Sequence, residues 1–304
     1  MFDIFIPALD TAIWWPGIIL LGVGIGFLTG MYGVGGGFLL TPFLKIAFGL
    51  PYPSAVGCSI LLIFMNSIIA VWGHWKKKSV DFLLGGIMAG GAIAGTEIGV
   101  RMLSLLHGIG SVVINGKSIH VLDIVLNCLF LLLMMWVCIS IIKEIAGKRK
   151  EAEVKTNISR WLLALKIPPL VRFTRSGIEQ MSVIIPIICS LFVGIFTGLL
   201  GIGGGFINLP LLIYVIGTPT LVAVGTSLFT INFASAYGAF RHFNEGNVIV
   251  LIVALLFVGS FFGVKLGIIL SHRFGGRRVR LSFIFIILTG MVIVVFDLIN
   301  GFIG

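Results

Sequence analysis

The feature that most constrains this chain is its series of long apolar runs, several of 18 residues or more without a charge. As a helix, such a run crosses a hydrocarbon core of about 30 Å. Only helices or closed barrels can satisfy their backbone inside it. Six stretches read as ordinary spans: about 54–73, 81–103, 120–142, 219–240, 247–271 and 281–299. Composition excludes the alternative of two soluble domains. Charged residues make up 11% of the chain, against about 25% in a soluble protein. The expected class is an all-α polytopic membrane protein. The first twelve residues, with Asp3 and Asp10 and no Lys or Arg, do not read as a cleavable signal.

Two further apolar stretches, about 13–50 and 182–218, are too long for one crossing. Each contains a glycine run followed by a proline, which argues for a broken or re-entrant helix. They also begin an internal repeat. A shift of 168 residues lays Gly26–Ser59 on Gly194–Ser227 without a gap, with 16 of 34 positions identical. The shared positions include Gly35-Gly36-Gly37 with Gly203-Gly204-Gly205, Pro42 with Pro210, and Ser59 with Ser227. The register continues to Gly91, Gly95 and Gly99, which fall on Gly259, Gly263 and Gly267. The chain therefore divides into a first repeat at 13–142, a basic linker at 143–181 and a second repeat at 182–304, each repeat with one broken segment and three spans.

The net charge of +10 has a topological explanation, with no nucleic-acid partner needed. Lys76–Lys78, residues 143–179 and Arg273, Arg277, Arg278 and Arg280 together hold 16 of the 21 cations. The excess of Lys and Arg in cytoplasmic loops puts these three segments inside and both termini outside. Each broken segment then starts and ends on one face, the first outside and the second inside. The two repeats are expected to be inverted, a plan shared by many secondary transporters.

The paired strings GFLTGMYGVGGGFLLTP and GIFTGLLGIGGGFINLP, with AVGCS and AVGTS downstream, resemble the sulfite exporter TauE/SafE family of membrane permeases. The resemblance spans nearly the whole chain. It implies movement of sulfite, sulfonates or other sulfur-containing anions across the cytoplasmic membrane. One departure is Cys58, where the second repeat has Thr226.

The glycine runs are the first candidate binding site: Gly33, Gly35, Gly36 and Gly37, with Gly201, Gly203, Gly204 and Gly205. Glycine lets the backbone leave helical geometry and approach a ligand, and a restarting helix presents N–H groups at its positive end. The competing reading is close helix packing through small residues. Neither run ends in Gly-Lys-Ser/Thr, so a nucleotide P-loop is not indicated. Ser59, Asn208, Thr226 and Ser227 could add side-chain donors to an oxyanion. Hydroxyls and amides in membranes equally bond across helices.

Three charges fall inside spans. Lys45 and Lys265 read as snorkelling side chains. Glu97, with Arg101 one turn along, is the candidate for proton coupling. His74 and His242, repeat partners at span ends, read as interfacial. Residues 160–175 read as a segment lying on the inner leaflet. The glycine stripes at 91, 95, 99 and at 259, 263, 267 read as helix packing. The four cysteines lie in apolar stretches and read as buried thiols. Nothing indicates a metal or another cofactor.

The expected function is a secondary transporter for a small, sulfur-containing oxyanion working by alternating access, with that anion and the lipid bilayer as partners. A passive anion channel is the alternative, and an intramembrane enzyme a distant third, since no nucleophile–base constellation is visible.

Overall fold

The computed structural model describes residues 3–6, 11–114, 117–146, 159, 161 and 167–303. Nine α-helices are described: α1 Trp15–Tyr32, α2 Gly37–Phe48, α3 Tyr52–Lys76, α4 Phe82–His107, α5 Val121–Ala146, α6 Ile184–Leu200, α7 Gly205–Pro210, α8 Thr220–Asn244 and α9 Val250–Ile303. A π-helical turn, Leu211–Ile216, extends α7. Among the described residues, six helices are long and apolar enough to cross a membrane: Trp15–Tyr32, Tyr52–Lys76, Phe82–His107, Val121–Ser140, Thr220–Asn244 and Val250–Phe274. This is an all-α polytopic membrane protein.

Three short antiparallel hairpins, unforeseen in the sequence, accompany the helices: Asp3–Ile6 with Thr11–Trp14, Ser111–Ile114 with Lys117–His120, and Leu170–Phe173 with Ile178–Ser182. The third changes the reading of 160–175, of which 160 and 162–166 lie outside the described residues. The rest does not simply lie flat. Its turn docks on Asp81, whose Oδ2 accepts from Ser176 N at 3.0 Å and Ser176 Oγ at 2.7 Å, and Phe173 is buried.

The segment between spans 247–271 and 281–299, expected to be a loop, keeps helical backbone, yet the chain turns back through it: Gly30 lies on Val264 while Tyr32, two residues on, stacks on Phe283 at 4.9 Å. Gly275-Gly276 and the surrounding arginines look like a break in sequence. Arginine is a good helix former, however, and each glycine costs only about 1 kcal/mol there.

Helix directions follow from the glycine contacts. Gly22 lies on Leu256 and Gly30 on Val264, so α1 runs parallel to the start of α9. Gly91 lies on Ile187 and Gly99 on Ile195, so α4 runs parallel to α6. These two pairs correspond under the 168-residue shift. The stripes therefore do the packing work assigned to them: a Cβ at Gly95 would meet the Leu191 carbonyl, and one at Gly263 the Val23 carbonyl.

Helices α3 and α8 cross at the centre. Gly57, early in α3, abuts Asn247 just past α8, and Gly225, early in α8, abuts Ser79 just past α3. Asn232 Nδ2 donates to Ser67 Oγ at 3.0 Å between them. The two helices are antiparallel.

The broken segments are helical hairpins. The end of α1 sits level with Val264, whereas the start of α3 sits level with Asn247, so α2 must return between them. The same reasoning applies to α7 between α6 and α8.

Candidate functional site

Both hairpins turn through glycines that hold left-handed backbone. Gly33, Gly35 and Gly36 have φ of 68°, 78° and 74°; Gly201, Gly203 and Gly204 have 68°, 67° and 72°. Gly33 and Gly201 close α1 and α6 by donating to the carbonyls of Thr29 and Thr197, each at 3.0 Å. Gly36 and Gly204 then start the returning helices, and neither start carries a side-chain cap. A side chain at those two positions would be strained, because L-residues rarely tolerate positive φ.

The two turns meet. A Cβ added to Gly37 would fall on the Gly201 carbonyl oxygen, and one on Gly205 would fall 2.5 Å from Val34 O. Phe38 and Phe206, the next residues along, stack with ring centroids 4.6 Å apart. Phe283 of α9 lies edge-on to both, at 6.0 and 5.8 Å. The glycines are thus packed against the opposite turn in this conformation.

Around the turns, Ser227 Oγ donates to the Gly33 carbonyl at 3.0 Å, tying the second repeat to the first turn. Thr41 Oγ1 donates to Ser59 Oγ at 3.0 Å. Thr226 is engaged elsewhere: its Oγ1 accepts from Asp81 N at 2.9 Å, at the start of α4. Cys58 does the same for Ile249 N, at 3.3 Å to Sγ. The serine–threonine set is therefore used in holding helices together.

Asn208 differs. Its side chain is buried, and neither Nδ2 nor Oδ1 has a hydrogen-bond partner. Leaving a buried amide unpaired costs about 1–3 kcal/mol per group, and a native structure needs a reason for it. Asn66 Nδ2 is also unpartnered, but its Oδ1 accepts from Ser260 Oγ at 2.7 Å.

The charged candidates lie apart from the turns. Glu97 accepts from Arg101 at 2.6 Å, and from Tyr237 and Arg241 at 2.9 Å each. It stitches α4 to α8, with two partners that sequence spacing could not supply. Lys265 lies over the Phe261 ring at 3.8 Å. Lys45, read as snorkelling, instead pairs with Asp123 at 3.0 Å and lies over the Tyr52 ring at 4.3 Å. Tyr52 in turn donates to Asn127 Oδ1.

His74 and His242 are both fully buried, correcting the interfacial reading. His74 Nε2 meets the Gly30 carbonyl at 3.1 Å, and its Nδ1 meets His272 Nε2 at 3.2 Å. The Gly30 carbonyl thus gives the His74 ring a polar partner inside the bundle, and His242 Nδ1 lies 3.4 Å from Asn247 Nδ2. Cys58 and Cys138 are buried, whereas Cys128 is exposed on the outside of the bundle and Cys189 lies between.

Comparison with known proteins agrees with the architecture. The family model for the sulfite exporter TauE/SafE matches residues 18–294. The probable membrane transporter protein YjnA of Bacillus subtilis is 29% identical over 271 residues, covering 89% of this chain and 96% of its own length. The probable membrane transporter protein MJ0441 of Methanocaldococcus jannaschii is 24% identical over 279 residues, covering 88% and 90%. A probable membrane transporter protein of Xylella fastidiosa is 27% identical over 277 residues, with the same coverage. No solved structure matches the chain.

Proposed function

The chain belongs to the sulfite exporter TauE/SafE family, and from that premise we propose that this membrane transporter is a secondary carrier for a small sulfur-containing oxyanion. It is a transporter and not an enzyme, as its family and relatives indicate. The finer reading is that two inverted repeats alternate access to a site between the glycine turns. The observation that carries it is the buried, unpartnered amide of Asn208 on the helix that follows one of two facing turns.

An oxyanion reaching that place would take a hydrogen bond from Asn208 Nδ2, with backbone N–H groups of the turns supplying more. Bonds to a charged acceptor are about twice as strong as neutral ones, and low dielectric raises what each contributes. Asn208 Oδ1 is left to accept from a ligand hydroxyl or a water. Gly33, Gly35, Gly36 and Gly37, with their partners Gly201, Gly203, Gly204 and Gly205, act here by allowing the turns to approach and separate. Ser59, Thr226 and Ser227 hold the surrounding helices and set the position of the turns.

Alternating access needs two packings of similar stability. The antiparallel course of α3 and α8 supports a repeat axis lying in the membrane plane. The Phe38–Phe206 stack and the Gly37–Gly201 approach speak for a closed barrier between the faces, which favours a carrier over an open channel. We place the protein in the cytoplasmic membrane with the central basic loop inside. Saturable counterflow of labelled sulfite in proteoliposomes, run beside sulfonates and carboxylates, tests the proposal. Linear flux that never saturates and shows no counterflow would reject a carrier.

A further inference from the structure

We infer that a second anion-binding site, for small organic anions with an apolar body, lies at one mouth of the bundle around Lys45. The inference rests on the transport reading above only in giving its ligand the same sulfur-oxyanion head. A cavity of about 330 Å³ opens there between the end of α2, the start of α3, the end of α4 and the start of α5. Lys45, Tyr52, Pro53, His107, Leu122 and Asp123 line it. This volume is at the small end for ligand pockets.

The chemistry is that of a guarded cation. Lys45 brings three donors, and Asp123 holds it at 3.0 Å, with side chains 17% and 29% exposed. The ammonium also sits on the face of Tyr52. Pro53 and Leu122 put carbon beside this charge, so a ligand with an anionic head and a short apolar body satisfies both walls. A bare oxyanion would meet the ammonium and leave the carbon walls wet.

The site belongs to one repeat only. The 168-residue shift places Ile213 opposite Lys45 and Met291 opposite Asp123, so the other mouth has no equivalent pair. Lys45 is eight residues beyond Gly37 on α2, about 12 Å along the helix. An anion held at the mouth is therefore linked to the glycine turn by a single rigid element.

Asp123 is both the partner of Lys45 and the competitor of any incoming anion, and this separates a binding site from a structural ion pair. Substituting either partner breaks the pair, so a purely structural role makes both variants behave alike. A binding site makes them diverge. Titration of the purified, folded protein with ethanesulfonate, read by calorimetry, is the experiment, with inorganic sulfate as the bare-anion control. Asp123→Asn should tighten ethanesulfonate binding by about fivefold or more, and Lys45→Gln should abolish the added affinity. Sulfate should gain less. The series is repeated on Asn208→Leu, which removes the proposed central contact. Persistence of the Asp123→Asn gain there assigns it to the mouth. If Asp123→Asn gives no gain, or loses binding as Lys45→Gln does, the mouth site is refuted; loss of the gain on Asn208→Leu refutes it equally. Should Lys45→Gln fail to fold, the Asp123→Asn result still decides, because a structural pair cannot give tighter binding on being broken. Undiminished sulfite binding in Asn208→Leu alone would instead count against the central site and leave the mouth standing.

Discussion

Thr226 and Cys58 hold the same place in the two repeats: Thr226 Oγ1 accepts from the backbone N–H of Asp81, and Cys58 Sγ accepts from that of Ile249, which is 168 residues beyond Asp81. Each side chain reaches across to the start of a helix in the other repeat and satisfies an N–H left unpaired there. The hydroxyl that looks in sequence like a ligand donor is thus a helix-start acceptor. Thr226→Val should lower stability by about 1–2 kcal/mol, read as a lower midpoint of thermal unfolding in detergent. Thr226→Cys should cost less, since sulfur already serves in the other repeat. A Thr226→Val variant with unchanged midpoint and weakened sulfite binding would return the hydroxyl to the site.

The packed turns make a different forecast. Gly205→Ala places a methyl carbon 2.5 Å from the Val34 backbone, where backbone cannot yield without parting the turns. This variant should express poorly or unfold at markedly lower temperature. The control Gly90→Ala meets nothing within 4 Å and should behave as wild type. Valine at Gly36 or Gly204 is a poor probe of binding, because positive φ at both positions makes the loss of folding come first.

Glu97 separates coupling from architecture. It accepts hydrogen bonds from Arg101, Arg241 and Tyr237, so its main work here is joining α4 to α8. Glu97→Gln should leave the pH dependence of uptake in place while reducing stability, by no more than about 1 kcal/mol for the partly exposed pairs. Uptake that becomes independent of pH while anion exchange continues would make Glu97 the proton carrier.

Much of this architecture is legible in the sequence because it repeats. The glycine turns, the stripes on α4 and α9 and the span ends follow from apolar length and a single shift. The shift also carried the Thr226–Asp81 and Cys58–Ile249 contacts, since both partners move together, but contact between repeats is invisible until the direction of each helix is known. Lys45–Asp123 could not be read for a related reason: the residues are 78 positions apart with no periodicity linking them. His74 and His242 looked interfacial because they end spans; their burial depends on which helices pack against those ends, which spacing along the chain does not carry. The helix through 272–280 was hidden because cations and two glycines mimic a loop.

The proposed orientation rests on the charge pattern, and it can be checked apart from function. With Cys58, Cys128, Cys138 and Cys189 replaced, a cysteine introduced at position 150 should resist an impermeant thiol reagent in intact cells and react after permeabilisation. Labelling in intact cells would invert the assignment of the central basic loop and of both mouths.

The central claim is that the buried amide of Asn208 awaits an anion. The repeat partner of Asn208 is Leu40, so Asn208→Leu installs a side chain the fold already accepts at the matching position and removes two unpaired polar atoms. Sulfite binding to the purified protein, measured by calorimetry alongside the unfolding midpoint without ligand, is the most direct test. The expected result is a midpoint equal to or above that of wild type together with an affinity reduced about tenfold or more, as fits the loss of one charge-assisted hydrogen bond. A variant that stays folded and binds sulfite as tightly as wild type would contradict the site.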